Sequence, residues 1–120
     1  MDFDLNDIVK GLVPPAQTKN FTVVDWLSIP FSTPEGLDYG KGLAIAADQL
    51  NDRHLLFHVD VNADKPLRHA GVFKGCHIAH GVGFDQDLDL LALTCYGDNS
   101  VWLHKLSDVL EKSGIPSAVA

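Results

Sequence analysis

Short stretches in which apolar side chains alternate with polar or small ones recur along most of this chain, separated by turns rich in Gly, Asp and Asn. A period of two residues is typical of β-strands that bury one face. The Pro- and Gly-containing segments 15–20 and 32–41 are expected to be loops. The pattern therefore predicts an all-β protein with strands near residues 21–29, 42–47, 54–61, 67–73, 81–85, 90–96 and 101–106.

Tight polar turns at 48–53, 85–89 and 97–100 connect these strands, so we expect an antiparallel meander in which chain neighbours pair. Segment 85–89 contains no glycine, and an Asp or Asn is expected in the left-handed backbone position there. Middle strands are flanked on both faces, which places the core on them. The expected core residues are Leu43, Ile45, Leu56, Val82, Phe84, Leu91, Leu93 and Val101.

Apolar residues adopt helical spacing near the two ends of the chain. A short helix is predicted over 4–11, with Asp4 at its N-cap. A second is predicted over 107–114, where Ser107 is the expected cap and Gly114 the expected stop. The chain is therefore expected to be a β-meander with a short helix at each end.

An internal repeat organises the strands. Segments 42–46 and 55–61 mirror segments 81–84 and 90–94, with an offset in the high thirties that fits one four-stranded β-propeller blade. Propellers need roughly four to eight blades, and about two and a half fit here, so a partial propeller is expected. The expected single domain, 1–120, divides into an N-terminal helix and loop (1–20), a first blade region (21–73), and a second blade with the C-terminal helix (74–120).

Composition and charge narrow the class of protein. The chain has 120 residues, of which 46% are hydrophobic and 21% charged, enough to bury one core. The net charge of −7 argues against a nucleic-acid partner, since phosphate binding needs clustered Lys and Arg. No segment has the length and apolarity of a membrane span, and the first residues lack a signal-peptide pattern, so a cytoplasmic protein with Cys76 and Cys95 as free thiols is expected.

Candidate chemistry centres on the segment from Cys76 to His80, in which His77 and His80 stand at metal-ligand spacing. Zinc would need further ligands from elsewhere in the chain. No Gly-x-Ser-x-Gly elbow and no glycine-rich phosphate loop occurs, so no catalytic residue is assigned and no organic cofactor is expected. A divalent metal is the one cofactor that the pattern allows.

Residues 79–84, 90–94 and 96–101 resemble one blade of the lactonase-like (YVTN/NHL-type) β-propellers. Those blades typically open with Pro-His-Gly or Pro-Asn-Gly and carry a Gly-Asp/Asn-Asn turn before the third strand. The segment around Glu35 looks like the gluconolactonase propellers, in which a Glu, an Asn and an Asp hold a divalent metal that activates water for lactone opening. This resemblance implies Glu35 in the place of that Glu and His80 in the place of the Asn. With His77, these two residues form the candidate metal site.

Two functions follow as expectations. The first is a non-enzymatic propeller-type repeat module, or a fragment of a longer propeller, that presents loops to a protein or a small ligand. The alternative is a metal-assisted lactonase-like hydrolase of the gluconolactonase type. An incomplete set of blades leaves apolar sheet faces open, so copies of the chain itself are expected partners. The alternative is a compact monomer in which the two terminal helices cover those faces. The strands of Trp26 and Trp102 are the expected contact regions.

Overall fold

The structure, a computed structural model, describes residues 22–115. Over these residues the strands form two antiparallel sheets, in the orders β1-β2-β3-β4 and β5-β6-β7, and every strand pairs only with its neighbours along the chain. The predicted all-β class and antiparallel meander are thereby confirmed. The elements are β1 (Pro34–Gly40), β2 (Leu43–Asp48), β3 (Arg53–Val59), β4 (Leu67–Lys74), β5 (Ala79–Asp85), β6 (Leu90–Cys95), β7 (Ser100–Lys105) and α1 (Leu106–Lys112).

Left-handed residues close the turns between strands. Asp52, Asp89 and Asn99 have φ values of 54°, 55° and 50° and directly precede β3, β6 and β7. Asp and Asn tolerate this conformation better than other side chains do, so the turn at 85–89 works without glycine, as predicted. Between β1 and β2, Lys41 and Gly42 both have positive φ, which is the requirement of a two-residue type I′ hairpin turn.

The main core lies between the two sheets. The predicted core residues on β2, β3 and β6 are buried there, and Val82 and Phe84 of β5 pack against the same core while partly exposed. Leu106 and Leu110 of α1 close the cluster. The prediction that Val101 is buried is wrong, since its side chain is 74% exposed. It pairs with Thr94 on the face of the second sheet that no other layer covers within residues 22–115.

Strand β1 lies within segment 32–41, which was predicted to be a loop, so that prediction is wrong. Its Pro and Gly residues are typical of loops, but here the glycines permit close packing. A Cβ atom on Gly36 would lie 2.6 Å from the carbonyl oxygen of His80, so only glycine allows β1 to approach β5 this closely.

The strand predicted over 21–29 is also wrong for its described part, 22–29, which has no regular structure. The Asp25 carboxylate accepts a hydrogen bond from the backbone N–H of Leu67, 2.9 Å away. Leu27 and Ile29 pack on a second apolar cluster, on the face of the first sheet that points away from the second sheet. The alternating apolar residues of this segment pack on a sheet face and do not form a paired strand.

The repeat stays a prediction, and the alignment of segments on which it was based is wrong. Because β1 had been missed, segment 42–46 was matched with 81–84, whereas the structure makes β2 the second strand of its sheet and β5 the first of the next. Counting from Pro34 to Ala79 and from Leu43 to Leu90, equivalent strands begin 45 and 47 residues apart. The first sheet thus has four strands, and the second has three strands followed by α1.

Helix α1 begins one residue earlier than predicted, and its N-cap is Lys105, without a side-chain cap hydrogen bond. Ser107 is not the cap because both its N–H and its hydroxyl donate to the Asp89 carboxylate, at 2.7 and 2.6 Å. Gly114 follows the helix with φ of 81°, as expected of the residue that ends it. The predicted helix over 4–11 lies outside the described residues.

Candidate functional site

The first strands of the two sheets bring Glu35 and His80 together. Each is the second residue of its strand, in β1 and β5, so the two occupy equivalent positions in consecutive sheets. His80 Nε2 lies 3.9 Å from Glu35 Oε2, and both side chains reach solvent. We call the end of the sheets at which β1 and β5 begin the polar end.

His77 also lies at the polar end but pairs with a different carboxylate. Its Nδ1 is 3.1 Å from Oδ2 of Asp52, whose other oxygen accepts the backbone N–H of Ile78 at 2.7 Å. The Ile78 hydrogen bond, and then the contact with His77, hold the pKa of Asp52 below its usual value against the opposing effect of burial. Asp52 therefore anchors the loop that precedes β5.

Two of the three predicted metal-site residues, Glu35 and His80, are thus brought together, while His77 contacts Asp52 instead. Within residues 22–115, no group of three or more His, Cys, Asp or Glu side chains is arranged to hold a metal ion. A stable zinc site uses about three or four protein ligands. The pair offers one carboxylate and one imidazole, which is a hydrogen-bonding pair in its own right and an incomplete metal site.

A disulfide between Cys76 and Cys95 underlies the polar end, so the predicted free thiols are wrong. The Cα atoms are 5.7 Å apart, a normal distance for a disulfide, and both residues are buried. Cys76 directly precedes His77 and Cys95 directly precedes Tyr96, so the bond fixes the backbone of two polar-end residues. Their proximity follows from the packing of the linker after β4 against β6, which spacing in the sequence does not reveal.

Tyr96 is the aromatic centre of the polar end. Its ring lies 6.4 Å from that of His80, with 30° between the ring planes. Shallow cavities of about 420 and 440 Å³ flank it, one toward Asn99 and the other toward Asp52. The walls are mainly apolar and carry imidazole, carboxylate, amide and hydroxyl groups around one aromatic ring. This lining suits a small ligand with a few polar groups or a peptide loop.

The buried carboxylate of Asp48, the last residue of β2, connects the loops of the first sheet at the polar end. Asp48 accepts hydrogen bonds from Asn51 Nδ2 and Arg53 Nε, at 2.8 and 2.6 Å, and from the Ser32 hydroxyl and Thr33 N–H, both at 3.1 Å. Burial raises the pKa of Asp48, but these hydrogen bonds, led by that of Asn51, outweigh it and lower the pKa overall. Every donor is internal to the fold, so Asp48 has a structural role.

Sequence reasoning missed Tyr96, Asp52 and Asp48 as parts of this end. The available signal was position: each stands at the end of a strand or in the turn that follows. Loops at the ends of rigid strands carry binding groups more often than strand interiors do. The polar end is recognised only once β1 is seen to pack beside β5, and β1 had been predicted to be a loop.

Comparisons with protein-family models, with curated proteins and with solved structures found no match to this chain. None of the helices in the described part of the chain combines the length and the apolarity needed to cross a membrane. The structure itself defines the class of fold: two antiparallel sheets whose first strands lie side by side, with polar side chains at the end where those strands begin.

Proposed function

We propose that this chain is a β-propeller-type binding module that presents its polar end to a small polar ligand or a protein loop. A four-stranded antiparallel meander is the repeating unit of propellers, and the first sheet has this form. The observation that carries the proposal is the pairing of Glu35 with His80, because equivalent positions of consecutive repeats converge on one exposed site. The disulfide and the Asp48 network fix the backbone at the same end of the sheets.

The polar end can be tested with a random peptide library displayed on phage. We expect peptides selected on the wild-type chain to lose at least roughly tenfold in affinity, about 1.4 kcal/mol, when Tyr96 is replaced by Ala. The matched control is Leu88→Ala, because Leu88 is as exposed as Tyr96, at 68%, but lies in the turn at the opposite end of β6. Equal binding of the selected peptides to both variants would contradict the proposal.

The alternative function is a metal-assisted lactonase-like hydrolase, and the 3.9 Å approach of Glu35 and His80 is the observation that favours it. A carboxylate and an imidazole are good ligands for Mn²⁺ and Zn²⁺. A ligand from a further sheet would complete such a site.

Under this alternative, titration calorimetry should detect one Mn²⁺ or Zn²⁺ bound per chain, and Glu35→Gln should weaken that binding at least roughly tenfold. Hydrolysis of glucono-δ-lactone should be accelerated by the metal and fall with the same variant. The control is Glu111→Gln, an exposed carboxylate on α1. Metal binding that is equal in both variants, or binding without hydrolysis, would exclude the hydrolase.

We further propose that partners are proteins, including copies of this chain, and not nucleic acids, in keeping with the net charge of −7. The compartment stays a prediction. A cytoplasmic location was expected. Disulfides persist mainly in oxidising compartments, so the Cys76–Cys95 bond favours an oxidising compartment instead.

A further inference from the structure

The first sheet leaves one face incompletely covered at β1. This strand points its small and polar residues toward β5 and its large apolar ones away from it, so that Leu37 and Tyr39 are 66% and 56% exposed. A strand at the surface of a folded protein normally has the opposite arrangement. Beside them, Leu27 and Ile29 form part of the wall of an apolar cavity of about 230 Å³.

The second sheet leaves its outer face open as well. Strand pairing places Ala92 opposite Leu103 and Thr94 opposite Val101, on the side away from the first sheet. Leu103 is 67% exposed, and no side chain layer covers this face within residues 22–115. Beside the two large side chains, the face is lined by small residues: Gly81, Gly83, Ala92 and Thr94.

The interface inside the chain shows how two such faces fit. Val82 and Phe84 of β5 pack toward the first sheet, where the β1 backbone carries only Gly36, Asp38 and Gly40. With the offset of 45 residues between Pro34 and Ala79, Leu37 and Tyr39 correspond to Val82 and Phe84. By the same offset, Gly36 and Asp38 correspond to Gly81 and Gly83. Each open face therefore repeats the chemistry of one side of the buried interface.

We propose that a second copy of this chain docks head-to-tail, with the Leu37/Tyr39 face of one copy on the Val101/Leu103 face of the next. This inference rests on the propeller-type proposal above. The two open faces of one chain are different but complementary. The β1 face carries large side chains and the second-sheet face is lined by small residues, as on the two sides of the sheet-on-sheet interface. In the docked pair, Leu103 fills the apolar cavity next to Leu37. Such a heterologous contact repeats from copy to copy until the rotation closes a ring, or it continues as a filament.

The decisive experiment blocks one face at a time. Leu37→Lys removes the first face and Leu103→Lys removes the second, and each variant keeps the other face intact. Each variant alone is expected to be a monomer in sedimentation velocity. Their equimolar mixture is expected to form a one-to-one dimer, twice the chain mass of 13.1 kDa, and nothing larger. The wild-type chain is expected to form assemblies larger than a dimer, growing with concentration.

A wild-type chain that stays monomeric at all concentrations, or a single-face variant that still dimerises with itself, would overturn the proposal. Tyr39→Lys and Val101→Lys form a second pair, so that one misfolded variant, identified by circular dichroism, does not leave the test undecided. Leu88→Lys, which alters an exposed leucine on neither face, should assemble like the wild type. The peptide selection with Tyr96→Ala is read separately, so a failed assembly and a failed binding function are distinguishable.

Discussion

Replacing Leu91 with Ala is expected to destabilise the folded protein by about 2–5 kcal/mol. Leu91 is fully buried on β6, the central strand of the second sheet, within the cluster that joins the two sheets and α1. Strand β6 is hydrogen-bonded on both sides, to β5 and β7, so it cannot move to fill the space left by the lost methyl groups. The lost burial and the new cavity therefore both reduce the free energy of unfolding.

Urea denaturation of the oxidised protein measures this loss directly. The control is Leu88→Ala, which removes the same atoms from an exposed turn residue and is expected to change the free energy of unfolding by less than about 0.5 kcal/mol. A loss below about 1 kcal/mol for Leu91→Ala would show that the two sheets are not packed on each other in solution.

Acidification is expected to weaken the fold through His54. This residue is fully buried and stacks on Phe73, with ring centroids 4.8 Å apart. Within residues 22–115, neither of its ring nitrogens has a hydrogen-bond partner. Burial is the main cause that lowers the pKa of His54 from 6.5 to about 4, and nearby His104 adds to it while Asp48 opposes it. The folded state therefore holds His54 neutral where the unfolded chain would bind a proton.

The sign follows from linkage. The pKa of His54 is lower in the folded state than in the unfolded chain. The contribution of neutral His54 to the free energy of unfolding is therefore fully present above pH 6.5 and is lost as the pH falls toward 4. At about 1.4 kcal/mol per pH unit, the loss between pH 7 and pH 4.5 amounts to about 2–3 kcal/mol. The variant His54→Leu fills a similar space without ring nitrogens and should lose less stability across the same interval.

The measurement is a series of urea denaturations between pH 7 and pH 4.5, interpreted as the difference between the wild type and His54→Leu. Burial also lowers the pKa of His69, and the subtraction removes this shared contribution. Parallel pH profiles for the two proteins would contradict the assigned role of His54.

Alternation along the chain was sufficient to predict six of the seven strands in the described residues, because hairpin strands differ from their turns in local composition. It failed at β1, where Gly36 and Gly40 resemble a loop and the exposed alternate positions carry Leu37 and Tyr39. It also failed at 22–29, since packing on a sheet face and pairing at a sheet edge leave the same alternating pattern. Both errors concern which neighbour a segment meets, and this is a tertiary property.

The candidate site divides in the same way. The resemblance to gluconolactonase propellers selected Glu35 and His80 as a pair, and the structure places them 3.9 Å apart. The pairing of His77 with Asp52 and the bond between Cys76 and Cys95 depend on loops from different sheets meeting at one end. No spacing within a single segment encodes such a meeting.

The disulfide has a topological consequence. Cys76 and Cys95 are 19 residues apart, and their bond closes a covalent ring that contains β5, the following turn and all of β6. A peptide-bond cut in the turn at 86–89 would leave both pieces in one molecule, so proteolytic nicking there becomes visible only after reduction. In the oxidised unfolded chain, the ring also keeps the two ends of the β5–β6 hairpin close together. During folding, β5 therefore packs on β1 from within a hairpin whose strand register is already restricted.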